Sequence, residues 1–159
     1  MNTTDIRQEY EEFLYNEGRL MDESRYEEWL QLWDTQCLYW VPLNEAETPP
    51  EDRISLIYEN REKLEDRIVR LASNAALAQS PHSRMMRSFS NVRILAATQE
   101  ALSGSANFII GEVRYDQQQV WFGRAEHELV RVGGSLKIRH KKVVMLSNDM
   151  TTGNMSFLV

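Results

Sequence analysis

Apolar residues at the start of the chain recur with the helical period. Ile6, Tyr10, Phe13, Leu14 and Met21 fall on one face, with Glu9, Glu11 and Glu12 among the polar residues between them. The spacing predicts a helix with Thr4 as its N-cap and Asp5 where the positive helix end favours an acid. A second helix is predicted at "SRYEEWLQLW": Ser24 and Glu27 have capping-box spacing, and Tyr26, Trp29, Leu30 and Trp33 form the apolar stripe. The period then changes. "QCLYWVPL" is rich in β-formers and runs into Pro42, which stops the strand or places it at an edge. After the acidic loop "NEAETPPEDR", "ISLIY" reads as a short strand, and Asn60 caps a third helix, "REKLEDRIVRLAS", with Leu64, Ile68 and Leu71 on one face. Pro81 lies in the loop after it.

From Arg84 the pattern is that of long strands: "RMMRSFSNVRILAAT", "GSANFIIGEVRYD", "QVWFGRAEHELVRV" and "SLKIRHKKVVMLS". The pieces between them, "QEALSG", "QQ" and Gly133-Gly134, read as turns; paired glycines supply positive φ without strain. Helices followed by a run of antiparallel strands predict an α+β fold, one domain over 1–159, with the N-terminal helices packed on a curved, mostly antiparallel sheet. Such a sheet closes into a cone under its helices. Alternation places Trp121, Gly123, Ala125, His127 and Leu129 on one face of the third long strand, and Val120, Phe122, Arg124, Glu126 and Glu128 on the other. In the last strand Leu136, Ile138, His140, Val144 and Leu146 fall together. Apolar residues on both faces imply that the outer face is covered by something.

Composition narrows the function classes. At 159 residues the chain suits one domain that buries roughly 70% of its unfolded surface. It is 42% hydrophobic, without the run of about 20 apolar residues a membrane span needs. The acidic start "MNTTDIRQEYEE" lacks the features of a secretory signal, and the lone Cys37 suits a reducing cytoplasm. A pI near 5.1 with dispersed lysines argues against nucleic-acid binding. Charge is polarised: residues 1–52 hold fourteen acids against Arg7, Arg19 and Arg25, net −11, and the remaining 107 residues are net +5. Opposed charged faces suit oriented assembly, and acids that coat solvated helices give the same pattern.

Candidate chemistry is sparse. His127 and His140, with Asp34 or Tyr39, form one conceivable acid–base set inside the cone; hydrogen-bonded structural histidines account for the same pattern. His82, His127 and His140 have no metal-binding spacing, and one cysteine cannot hold a thiolate cluster or, alone, a Rieske centre. No phosphate loop or nucleophile elbow occurs, and Cys37 reads as a small hydrophobe. The most distinctive cluster is the arginines from Leu64 to Leu95. Arg67 and Arg70 are neighbours on the third helix, and Arg84, Arg87 and Arg93 lie on the next strand, Arg87 and Arg93 on one side. Their guanidinium forks suit carboxylates across an interface, an anionic ligand, or acids of the same chain.

Three stretches then carry a resemblance: "FLYNEGRLMDESRYEEWLQLWDTQCLYWVPL", "ISLIYENREKLEDRIVRL" and "SRMMRSFSNVRIL". With their E-x-x-L-x-D, EWL, Y-x-V-P, L-E-D-R-[IV]-x-R-L and S-R-x-x-R-x-x-S-N-V elements in order from Phe13 to Leu95, they resemble the small (beta) subunit of bacterial aromatic-ring-hydroxylating dioxygenases, in its benzoate/anthranilate-type branch. "VVMLSNDM" resembles that family's last strand, while residues 96–134 carry no specific likeness. The resemblance implies an NTF2-like (cystatin-like) cone and assembly with a catalytic alpha subunit as an alpha3beta3 hexamer, with contacts between beta subunits in a trimer. It further implies a Rieske 2Fe-2S cluster and a mononuclear Fe(II) in the alpha subunit, electrons from NADH through a separate reductase, and no catalytic residue or cofactor in this chain. On that reading Arg67, Arg70, Arg84, Arg87 and Arg93 are interface candidates. The alternative is a stand-alone NTF2-like dehydratase or isomerase using His127, His140 and Asp34.

Overall fold

The helical period of the first residues builds α1 (Thr3–Asp22) in the computed structural model, which describes residues 2–43, 55–77, 83–146 and 158–159. The N-cap is Asn2 rather than Thr4: the Asn2 side chain accepts from Thr4 N at 3.5 Å, so the helix starts earlier than its first apolar residue suggests. At the other end Arg25 N donates to Leu20 O at 2.9 Å and Ser24 N to Met21 O at 3.2 Å, with Ser24 at φ 56. This is a Schellman closure with serine in the left-handed position usually held by glycine. It takes Ser24 away from the expected capping box. α2 (Tyr26–Gln31) therefore starts after Arg25, which makes no side-chain cap bond and clamps Glu28 instead.

Trp33 opens β1 (Trp33–Pro42) instead of ending the helix. Pro42 is its last residue, set off by a bulge after Val41, and β1 lies inside the sheet. β2 (Ser55–Asn60) forms the edge, and Asn60 caps α3 (Arg61–Leu77), its Oδ1 accepting from Lys63 N at 3.1 Å. Four long strands follow: β3 (Arg84–Ala97), β4 (Ala101–Arg114), β5 (Gln117–Val132) and β6 (Ser135–Met145). The sheet order is β2-β1-β6-β5-β4-β3, antiparallel except for the β1–β6 pair. The loops read at 44–53 and around Pro81, and His82, lie outside the described residues.

Turn chemistry departs from expectation twice. The β3–β4 turn is shorter than "QEALSG", because Thr98 Oγ1 accepts from both Glu100 N (3.2 Å) and Ala101 N (3.0 Å) and returns the chain to the sheet at Ala101. The β4–β5 turn is Tyr115–Asp116, with Tyr115 at φ 53, and the glutamines belong to β5. Gly133 and Gly134 form the expected hairpin, at φ 58 and 82.

Two bulges decide which side chains face inward. On β3 the register shifts between Ser90 and Arg93, with Asn91 at φ 53, which puts Arg87 and Arg93 on opposite faces rather than on one. Between β5 and β6, Leu129 pairs with Ile138 but Glu128 pairs with His140, so Arg139 is the extra residue. Lys141, Val143 and Met145 therefore join Ile138 inside, and His140 and Val144 turn outward with the exposed Leu146. The helical layer covers the inner face. Tyr10, Phe13, Leu14, Leu20 and Met21 of α1 pack with Phe108 and Ile110 of β4, Ala125 and Leu129 of β5 and Val143 of β6. Contact is close enough that a Cβ on Gly104 would meet the Tyr10 ring at 2.4 Å.

Candidate functional site

Glu17 interrupts the apolar stripe of α1, three residues after Leu14 and four before Met21, and its side chain is fully buried. The sheet brings three partners to it. Lys141 Nζ donates to Glu17 Oε1 at 2.6 Å, Trp29 Nε1 donates to the same oxygen at 3.3 Å, and His127 Nε2 stands 2.9 Å from Oε2. The other nitrogen of that ring, Nδ1, is 2.9 Å from the Tyr10 hydroxyl. A carboxylate can only accept, so His127 carries a proton on Nε2, and in neutral imidazole Nδ1 then accepts from Tyr10. Every member of the chain Tyr10–His127–Glu17–Lys141 is thereby hydrogen-bonded out of contact with water.

Burial alone would raise the Glu17 carboxyl, but the charges and hydrogen bonds of Lys141 and His127 outweigh it and hold the group well below the usual carboxylate range. Burial lowers His127, against the pull of Glu17, and keeps the imidazole neutral. Burial also lowers Lys141, helped by the nearby Arg87 charge and opposed by Glu17. Tyr10 is raised by burial and by Glu17 and Glu126, so it stays a phenol. Glu17 and Lys141 thus form one buried ion pair, oriented by a neutral histidine.

Little space remains beside this pair. The cavity lined by Glu17, Met21, Arg87, Phe108, Lys141 and Val159, among others, measures about 10 Å³. Val159 lines it, and Leu158 and Val159 are both buried, at 2% and 3% exposure. The Tyr39 hydroxyl donates to Val159 O at 2.5 Å and accepts from Val159 N at 3.1 Å, while Arg87 bonds Asp22 and Leu158 O.

The residues picked from sequence do not converge. His127 faces inward. His140 faces outward on β6, its Nδ1 3.8 Å from Glu128 Oε1. Asp34 accepts from Arg139 Nε and Nη2 at 3.1 and 2.6 Å, and these bonds lower its pKa. Tyr39 is spent on Val159, and burial pushes the Cys37 thiol up to about 11. Of the arginines, Arg67 forks onto Glu59 at 2.8 and 2.7 Å, and Arg87 is buried against Asp22; Arg70, Arg84 and Arg93 are exposed. Sequence reading missed Tyr10 and Glu17 as partners of His127, and Lys141 as the partner of Glu17. A charge on the apolar stripe of α1 was a readable signal for Glu17, whereas the β6 bulge concealed Lys141.

The outer sheet face is of a different character. Ile109 pairs directly with Phe122 across β4 and β5, and at 45% and 47% exposure both stand open, beside Val120, Val144 and Leu146. Ile109, Phe122, Val144 and Leu146 line a groove of about 450 Å³ rimmed by Asn107, Arg124, Glu126 and Lys142. Among the described residues no group of three His, Cys, Asp or Glu side chains is placed to hold a metal, and no helix is long and apolar enough to cross a membrane.

Comparison with known proteins agrees with this geometry. The chain is 34% identical to the small subunit of a 2-halobenzoate 1,2-dioxygenase from Burkholderia cepacia, over 87% of this chain and 86% of that protein. The beta subunit of a benzoate 1,2-dioxygenase from Burkholderia mallei superposes with a TM-score of 0.81 at 26% identity, covering 99% of this chain and 98% of that one. An NTF2-like protein with a cystatin-like fold from Novosphingobium aromaticivorans superposes with a TM-score of 0.65 at 12% identity, over 90% of this chain and 83% of that one, which shows the shared fold. The family profile described as "Ring hydroxylating beta subunit" matches residues 16–152, and the chain belongs to that family.

Proposed function

We propose that this chain is the structural small subunit of a Rieske non-heme iron dioxygenase acting on an aromatic acid, and that it holds and orients a catalytic alpha subunit. The observation that carries this reading is the open apolar face formed by Ile109, Val120, Phe122 and Leu146, set against a cavity of only about 10 Å³ beside Glu17 and Lys141. An apolar groove that lies outside, with little space beside the buried Glu17–Lys141 ion pair, suits a face that is covered by a partner better than a site that encloses a substrate. The aromatic-acid class rests on the relatives' names, a 2-halobenzoate and a benzoate dioxygenase.

The Rieske cluster and mononuclear iron do not fit the residues of this chain: no three ligating side chains converge among those described, and Cys37 is the single cysteine. Both groups are assigned to the alpha subunit, with NADH electrons delivered by a reductase. The stoichiometry proposed is three small and three large subunits, in the cytoplasm, with residues 1–159 acting as one domain. Arg70, Arg84 and Arg93 are the exposed interface candidates, while Arg67 and Arg87 are paired within the chain with Glu59 and Asp22.

The test is co-expression of the tagged chain with its alpha subunit, followed by assay of the purified material for iron and acid-labile sulfide. A stoichiometric larger partner carrying both is the expected result. A metal-free chain that emerges alone overturns the proposal.

A further inference from the structure

Leu158 and Val159 belong to no helix or strand, yet both are almost completely buried. They are held the way a bound peptide is held. Tyr39 Oη donates to the carbonyl of Val159 and accepts from its amide, a pair of bonds that reads one residue's backbone at both ends. Arg87 Nη2 donates to the preceding carbonyl, that of Leu158, and Asp22 fixes the guanidinium by accepting from Nη1 and from the Arg87 amide. The apolar side chains enter the core cluster, Val159 beside Phe89, Phe108 and Ile110. Arg87 Nε is buried without a hydrogen-bond partner among the described residues, where Asp22 and the Leu158 carbonyl hold the guanidinium.

We propose that the place where Tyr39 of β1 and Arg87 of β3 meet is a peptide-recognition pocket, specific for an apolar dipeptide unit and occupied by the chain's own Leu158–Val159. The site consists of Tyr39 from β1 and Arg87 from β3, braced by Asp22 from α1, above the apolar walls of β4. Its ligand class follows from its donors and acceptor: two backbone carbonyls and one amide in sequence, followed into the core by aliphatic side chains. The pocket recognises the ligand through the backbone, and the same unit supplied as a separate molecule satisfies the same groups. This inference is independent of the assembly partner.

The experiment uses a variant lacking Leu158 and Val159, with N-acetyl-Leu-Val-amide as probe and N-acetyl-Ser-Asp-amide as control. The expected result is a lowered Tm that the first peptide, well above its Kd, raises by about 3 °C or more, the control leaves unchanged, and neither peptide alters in the full chain. A truncated protein as stable as the full chain, or one that is destabilised and indifferent to the peptide, overturns the proposal. Where truncation prevents folding, Tyr39→Phe in the full chain decides. Exchange of the Val159 amide is expected to accelerate about tenfold or more while that of the sheet amides holds, and unchanged exchange at Val159 overturns the proposal.

Discussion

Glu17 Oε2 and His127 Nε2 stand 2.9 Å apart, joining α1 to β5 through two side chains that water does not reach. The pair has value only as part of its network, because Glu17 also neutralises Lys141. Glu17→Gln would strand an ammonium in the core, and breaking a buried pair by removing one partner costs about 3–5 kcal/mol. At about 2–4 °C per kcal/mol for a domain of this size, calorimetry should show a Tm lower by about 6–20 °C. Adding Lys141→Met to that variant should restore part of the loss. Strictly additive losses would show that the two groups are not coupled.

The same network sets a pH dependence. The folded pKa of His127 is depressed, so the unfolded chain binds more protons below the ordinary histidine value near 6.5. The His127 contribution is therefore complete above that value and declines as pH falls through the folded pKa. Glu17, also depressed, adds a loss with the same sign in more acidic solution. Urea midpoints should fall between pH 7.5 and 5.5, and His127→Gln should flatten that slope. Equal slopes in the two proteins would locate the titration elsewhere.

Gly104 is the place where α1 comes closest to the sheet. A Cβ there would lie 2.4 Å from Tyr10 Cε1, inside contact distance of a buried ring that cannot swing into solvent. Gly104→Ala should cost about 1–3 kcal/mol in denaturant titration by displacing Tyr10 from His127. A neutral result would mean that α1 can lift without consequence.

Much of the fold was legible because each element carried its own period. The stripe of α1, the Asn60 cap, the Gly133–Gly134 hairpin and the alternation of β5 all act within a few residues, and each is present in the structure. What escaped reading was longer in range. Ser24 looks like a cap until the closure of α1 requires it at positive φ, and His140 looks interior until one bulged residue, Arg139, turns the rest of β6 over. The arginine cluster is legible as charge but not as geometry: it divides into Arg67 and Arg87, bonded within the chain, and exposed Arg70, Arg84 and Arg93. The polar network was half legible, since Glu17 on an apolar stripe asks for a partner and nothing local says that the partner is Lys141.

The outer face gives the prediction that separates assembly from folding. Phe122 is 47% exposed and leans on Ile109 of the neighbouring strand, so its replacement removes little from the core. Phe122→Lys should leave stability within about 0.5 kcal/mol, as exposed substitutions generally do. If the groove between Ile109 and Leu146 is covered by another subunit, the same change places an unpaired ammonium in a desolvated apolar contact. Truncating or charging such an anchor costs an interface about 2 kcal/mol or more. Light scattering on the co-expressed complex should then show dissociation at concentrations where the unmodified protein stays assembled, with the Tm of the isolated subunit unchanged. Retained assembly with an unchanged Tm would place the partner elsewhere, and Arg70, Arg84 and Arg93 would be the next surface to alter.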